Sequence, residues 1–303
     1  MTQIEKYIWL IKTISREGKI SFSELSELWE RHTDLSYGQP LTRASFNRWK
    51  DAILLQFGID IACQRKAGYL YYIKNPEAIS EDELKTWIID SFAVSNLIGE
   101  NISLRDRIVV DKIPSGYEHL AEILASMKEN RVLNIAYHSF RKPEPKEYDV
   151  EPYCVKLFEN RWYMLANNIS KGVVHCYALD RIDKLSATNK TFKMPKNFSA
   201  SEFYANYFGI VSDTDIKPVR IVLRAYRTHK SYMETLPLHH SQRLIGKTEE
   251  HADFELYLSP TYDFIMRLLH YGAMIEVLEP VSLRKAMKGW ITDMAELYEI
   301  PSS

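Results

Sequence analysis

The hydrophobic pattern of this chain changes period near Val132, and no single-class fold accommodates both halves. Before that point apolar residues mostly recur three and four apart, as on the buried stripe of a helix. After it they recur at alternate positions, as on one face of a strand. At 303 residues the chain has room for two or three domains. The expectation is an α+β, multidomain protein with boundaries at 1–75, 76–116, 117–200 and 201–303.

Ile4, Tyr7, Ile8, Leu10, Ile11 and Ile14 define a first helix, ended by Gly18. Ser23 is expected to cap a second, which carries Leu25, Leu28 and Trp29. A polar turn over 32–39 leads to Pro40. Thr42 caps a third helix whose inner face is Phe46, Trp49, Ile53, Leu54 and Phe57. Ile59, Ile61 and Cys63 alternate with Asp60 and Ala62, and Tyr69 to Ile73 returns as a second strand. Helix, helix, helix, hairpin is the order of a winged helix-turn-helix. In that layout the third helix fits a major groove and the hairpin tip reaches a neighbouring phosphate.

Charge is distributed to suit that use. The whole chain carries −1, yet Leu41 to Lys74 holds six basic residues (Arg43, Arg48, Lys50, Arg65, Lys66, Lys74) against Asp51 and Asp60, a net +4. Arg43, Asn47 and Lys50 stand at i, i+4 and i+7, opposite the apolar stripe. A solvated helix surface would explain that face alone. It does not explain Arg65 and Lys66 at the hairpin tip. The expected partner is a double-stranded DNA operator. Thr42, Arg43, Ser45, Asn47, Arg48 and Lys50 would meet bases or phosphates, and Arg65 and Lys66 would be wing contacts.

A helix is expected over 79–97, with Trp87, Ile88 and Phe92 buried, then a polar connector over 99–116 and a helix over 117–130. Five short strands follow, over 133–137, 148–158, 161–167, 173–178 and from 182. They suggest a small, strongly bent sheet or barrel. A short helix over 201–208 precedes a last unit in which strands at 219–223, 254–258 and 274–278 alternate with helices at 231–236, 262–271 and 282–298.

Enzyme chemistry is not expected. The nine histidines form no H-E-x-x-H, and there is no phosphate-binding glycine loop, no G-x-S-x-G and no dinucleotide fingerprint. Cys63, Cys154 and Cys176 are odd in number and widely spaced, so neither disulfides nor a metal site is expected, and no cofactor. No apolar run approaches a membrane span, and the first residues lack a signal-peptide pattern. The expected location is the cytoplasm.

Arg161-Trp162-Tyr163-Met164-Leu165-Ala166 resembles the signature strand of WYL domains, with Met164 in the usual leucine position. Asp180-Arg181-Ile182 resembles the segment that follows it. Ile135 to Ser139 and Glu151-Pro152-Tyr153 resemble the first two strands. Tyr271 to Pro280 resembles the C-terminal extension that accompanies these domains. The resemblance implies a bacterial, usually homodimeric, ligand-responsive transcription regulator. It implies a Sm-like bent β-sheet in the centre and a small α/β sandwich behind it. It also implies a basic and aromatic surface for an anionic effector, nucleotide-like or single-stranded nucleic acid. On this sequence the matching residues are Tyr137, Ser139, Arg141, Tyr153, Arg161, Tyr163 and Arg181. Residue by residue, Trp162 reads more as core than contact. Arg181 reads equally as a partner of Asp180 or Asp183 and as an anion clamp. The alternative function is a single-stranded nucleic-acid-binding accessory protein whose N-terminal module docks a protein.

Overall fold

The helices that begin at Gln3, Phe22, Arg43 and Glu83 each start where a side chain can satisfy their unpaired N–H groups. The computed structural model describes residues 2–80, 82–110, 115–140 and 144–299, in two compact units, Met1–Asp111 and Lys112–Ser303. In the first, α1 (Gln3–Glu17) opens with a capping box between Thr2 and Glu5. α2 (Phe22–Arg31) is capped by Ser21, not Ser23. The capping box needs an acid three residues on, and Glu24 supplies it: its carboxylate accepts from Ser21 N at 2.9 Å while Ser21 Oγ accepts from Glu24 N at 3.3 Å. The expected polar turn contains a one-turn helix, α3 (Thr33–Ser36).

α4 (Arg43–Phe57) begins at Thr42, whose Oγ1 accepts from Ser45 N at 3.1 Å, and stops at Gly58 in the left-handed region. Phe46, Trp49, Ile53 and Phe57 are buried. Leu54, expected inward, is 49% exposed, because one residue past Ile53 the helix has turned away from the stripe. β1 (Ile61–Gln64) and β2 (Leu70–Ile73) form an antiparallel hairpin, with a single turn of 3-10 helix, Arg65–Ala67, at its tip. Ile20 pairs with Tyr71 through both backbone groups and ties the hairpin to the helices. After α5 (Glu77–Ser80), α6 (Glu83–Glu100) packs on α1 through Ile89, Phe92 and Ala93. The expected stripe is therefore rotated: Trp87 is 44% exposed and Ile88 only partly covered. Edge-to-face rings centre the core, Trp9 on Trp29 and Trp29 on Trp49 at 5.0 Å, and Phe46 against Phe22 (5.6 Å) and Tyr71 (4.6 Å).

The second unit opens with α7 (Leu120–Glu129) and a five-stranded antiparallel sheet: β3 (Arg131–Tyr137), β4 (Lys146–Phe158), β5 (Arg161–Asn168), β6 (Val173–Ala178) and β7 (Ile182–Thr191). The spatial order is β6-β5-β4-β3-β7. β6 and β7 are consecutive in the chain yet occupy opposite edges, joined by the one-turn segment Leu179–Arg181. The sheet must therefore curl until its edges are one turn apart. Ile123 of α7 fills the concave side with Leu133, Ile135, Val150, Met164 and Tyr177, and Trp162 packs against this group as expected.

The chain continues through α8 (Ala200–Tyr204), shorter than expected, into a second sheet. Its elements are β8 (Val219–Tyr226), α9 (His229–Thr235), β9 (Arg243–Lys247), β10 (His251–Leu258), α10 (Tyr262–His270), β11 (Ile275–Glu279) and α11 (Val281–Leu297). The order is β11-β8-β10-β9. One face buries Ile221, Leu223, Phe254 and Leu256 against Phe264 and Leu268 of α10. The other carries a charge ladder, in which Arg224 makes two 2.8 Å bonds to Asp253 and Arg220 joins Glu255 to Glu279. The chain is thus a mixed helix-and-sheet protein. No helix among the described residues is long and apolar enough to cross a membrane.

A buried imidazole makes this unit acid-sensitive. His239 Nδ1 lies 2.7 Å from Ser241 Oγ, and burial, with the His240 charge adding to it, lowers its pKa to about 4. The unfolded chain binds a proton near pH 6.5 that the folded one refuses until about pH 4. Stability is therefore full above pH 6.5 and lost as pH falls to 4, by on the order of 3 kcal/mol. His239→Gln should flatten that part of a melting-temperature profile; an unchanged slope would assign the loss to carboxylates instead.

Candidate functional sites

Two groupings of expected residues can be placed, one in each unit. On α4 the face opposite the core is Ala44, Asn47, Arg48 and Asp51, all exposed. Arg48 Nη2 lies 3.5 Å from Ser45 Oγ, which leaves the guanidinium over the first two turns. Arg43 sits on the flank instead. Its guanidinium stacks 4.2 Å from the Phe22 ring centroid and donates to the Tyr71 hydroxyl at 3.3 Å, which ties the start of α4 to α2 and to the hairpin. Lys50 is on the opposite flank, half-buried. Thr42 and Ser45 make the cap. Arg65 and Lys66 are exposed at the hairpin tip. Sequence reasoning missed Lys19, which donates to Gln64 at 2.9 Å and adds a cation beside the hairpin; its place just before the bridging Ile20 was the available signal. It also passed over Ala44 and Asp51, which share the outer face.

In the second unit Arg181 lies against Tyr137 and Phe140 and is held by the His138 backbone. Its Nε and Nη2 both donate to the His138 carbonyl, at 2.9 and 2.8 Å, and His138 N donates back to the Arg181 carbonyl at 2.9 Å. The guanidinium lies 4.9 Å from the Tyr137 ring centroid and 3.8 Å from that of Phe140. Arg181 therefore pairs with neither Asp180 nor Asp183. Arg161 takes Asp180, whose carboxylate is nearly covered, and that hydrogen bond holds the Arg161 guanidinium protonated more firmly than usual. The Tyr137 hydroxyl accepts from Ala178 N at 3.3 Å, and its ring stands edge-on to Tyr177. Burial raises the Tyr137 pKa, and the Arg181 charge opposes the rise.

Tyr163 stays within electrostatic reach of Arg161 and Asp180 but is turned inward, whereas Tyr153 packs against other rings. Tyr163 is 8% exposed. It shares a sheet face with Lys156, and that face is roofed by residues 204–209: Lys156 Nζ donates to the Gly209 carbonyl at 2.7 Å and sits 3.9 Å from the Tyr204 ring centroid. Tyr153 falls at a β-bulge between Pro152 and Cys154 and packs on Phe198 and Phe192, with its hydroxyl near Glu151. Ser139 adjoins the cluster, half-buried. Arg141 lies outside the described residues. Phe140 is what sequence reasoning missed. It is 82% exposed, and an aromatic residue between Ser139 and Arg141 in a polar loop was the available signal. An exposed ring stacked on a fixed guanidinium offers a planar π-face and a positive charge side by side. The Cys154 thiol is buried and that of Cys176 half-buried, and desolvation pushes both up to about 11, so they stay protonated. Among the described residues no three His, Cys, Asp or Glu side chains are placed to hold a metal ion.

Residues 118–187 match the WYL domain and residues 217–295 the WCX domain. No curated protein matches the chain. Among solved structures, the chain is similar to proteasome accessory factor B/C (PafBC) of Arthrobacter aurescens, at 23% identity and a TM-score of 0.27, over 64% of this chain and 29% of that one. It is also similar to a CRISPR Cas-related protein, at 15% identity and a TM-score of 0.40, over 61% of this chain and 53% of the other. The chain thus spans about a third and about half of the lengths of these two.

Proposed function

We propose, with the two domain matches as the premise, that this chain is a DNA-binding transcription regulator whose activity responds to an anionic, nucleotide-like effector. The observation that carries it is the outer face of α4, where Asn47 and Arg48 stand exposed opposite a rigid aromatic core, with Arg65 and Lys66 at the adjoining hairpin tip. Asn and Arg are the side chains that read adenine and guanine edges bidentately, and the tip cations suit phosphates. In this reading the first unit is a winged helix-turn-helix, and Arg43 positions α4 rather than touching bases. The curled sheet is the sensor, with Tyr137, Phe140 and Arg181 as the effector platform. The effector binds the two regulator states unequally and so shifts operator affinity. Arg161 and Asp180 brace the platform, and Tyr163 belongs to the interior.

The experiment is an operator shift assay on sites found by genome-wide footprinting. Asn47→Ala with Arg48→Ala should weaken binding by about 2–5 kcal/mol if both contacts are bidentate. Arg65→Ala with Lys66→Ala should weaken all sequences alike and lower the salt slope by about 2. Unchanged, salt-insensitive binding in both would sink the proposal. Crosslinks of nucleic acid confined to 137–181 would favour the accessory-protein alternative.

A further inference from the structure

Three helices of the first unit, α1, α2 and α6, line an open cavity of about 770 Å³. Part of the lining is apolar: Ile8 and Trp9 from α1, Leu28 from α2, Val94 and Leu97 from α6. Val94 and Leu97 are 54% and 59% exposed, since the stripe they occupy looks into the cavity and not into the core. His32 stands edge-on to Trp9, with ring centroids 6.4 Å apart, and Trp9 is itself held edge-on by Trp29. The aromatic wall is thus fixed before anything binds.

The rest of the lining is charged, with one sign in excess. Lys12 and Arg16 stand one turn apart on α1, and Arg31 ends α2. Asp90 is the one acid among the described residues of the lining. It is engaged by Lys12, and Arg16 is engaged by its neighbour Glu17. Arg31 is exposed and enters no ion pair among the described residues. The helix dipole favours Arg16 and Arg31 in the last turns of α1 and α2. It does not explain why both, with Lys12, line one apolar cavity. Like charges gathered there repel, and a bound anion turns that repulsion into attraction.

We propose that this cavity is a ligand site for a small aromatic carboxylate. The carboxylate meets the guanidinium forks of Arg31 and Arg16, and the ring lies against Trp9, Val94 and Leu97. The volume and the few convergent polar groups on an apolar lining are those of a small-molecule site. A nucleic-acid phosphate would satisfy the cations and leave the apolar walls bare. An uncharged hydrocarbon would do the reverse. No residue of α4 lines the cavity, so the inference rests neither on DNA binding nor on the Arg181 platform.

The test is calorimetric titration of the full chain with 2-naphthoate. It should bind one to one, with Kd below about 1 mM. The uncharged analogue 2-naphthalenemethanol should bind at least about tenfold more weakly, because a charge-assisted hydrogen bond is worth roughly ten- to a hundredfold. Arg31→Gln should weaken 2-naphthoate by the same factor and leave the analogue unchanged. Asp90→Asn should tighten binding severalfold, since it removes the acid and frees Lys12. Val94→Trp should abolish binding by filling the cavity. Phe140→Ala should leave it unchanged, which separates this cavity from the Arg181 platform. Melting curves close to wild type show that the variants fold. No binding by the wild type, equal affinity for the uncharged analogue, wild-type affinity in Arg31→Gln, or a loss confined to Phe140→Ala would each overturn the proposal.

Discussion

Phe46→Ala should lower the first of two calorimetric transitions by roughly 12 °C or more, and leave the second in place. Phe46 is fully buried and meets Phe22 and Tyr71 edge-on, so its ring joins α4 to α2 and to the hairpin at once. Truncating a buried Phe costs about 3–5 kcal/mol, from lost transfer energy and the cavity left behind. A small unit holds only about 5–15 kcal/mol in total. The damage should stay within Met1–Asp111, since each unit has its own cores. In the reading proposed above, operator binding would fall with the folded fraction and recover on cooling, which separates this variant from Asn47→Ala. Phe46→Leu, which keeps more of the volume, should lower the transition much less. A shift of the second transition instead would place the energetic centre of the molecule elsewhere.

Gly116→Ala should destabilise the second unit by about 2–5 kcal/mol, among the largest effects open to adding one methyl group. Gly116 has φ +68°, in the region that disfavours side chains, and an added Cβ would fall 2.3 Å from Asp180 N and 2.5 Å from the Leu179 carbonyl carbon. Both are backbone, so no side chain can swing aside. The neighbouring Ser115 carbonyl accepts from Trp162 N at 3.1 Å, so the loop cannot simply lift. What must move is the Leu179–Arg181 turn, and with it the Arg161–Asp180 pair and the Arg181 platform. Denaturant unfolding followed by tryptophan fluorescence measures the loss. A loss below about 1 kcal/mol would mean that the turn yields freely.

How far the sequence could be read depended on whether a residue's signal was local. α4 and its cap were legible because Phe46, Trp49, Ile53 and Phe57 recur at helical spacing after Thr42. The strand over 173–178 was legible to the residue. β9 was not, because all five of its residues are exposed and carry no alternation. Ile89 displaced the expected pair Trp87 and Ile88, since α6 is apolar around most of its circumference and only packing against α1 selects a face. The candidate sites were legible as residue types but not as partnerships. Arg161 and Arg181 read alike in sequence, yet the fold spends one on Asp180 and fixes the other on a backbone carbonyl. Tyr153 and Tyr163 matched their motifs, but Tyr153 sits at a bulge and packs on Phe198 and Phe192, and Tyr163 is buried on the face it shares with Lys156.

The Leu179–Arg181 turn has one more consequence. It is a clasp: three residues fasten the two edge strands of a curled ribbon. Tension applied to one rim passes to the other with almost no slack, because so short a tether cannot stretch. A molecule that grips Arg181 therefore pulls on both rims together. The three-residue tether is thus one of the restraints that keep the ribbon curled.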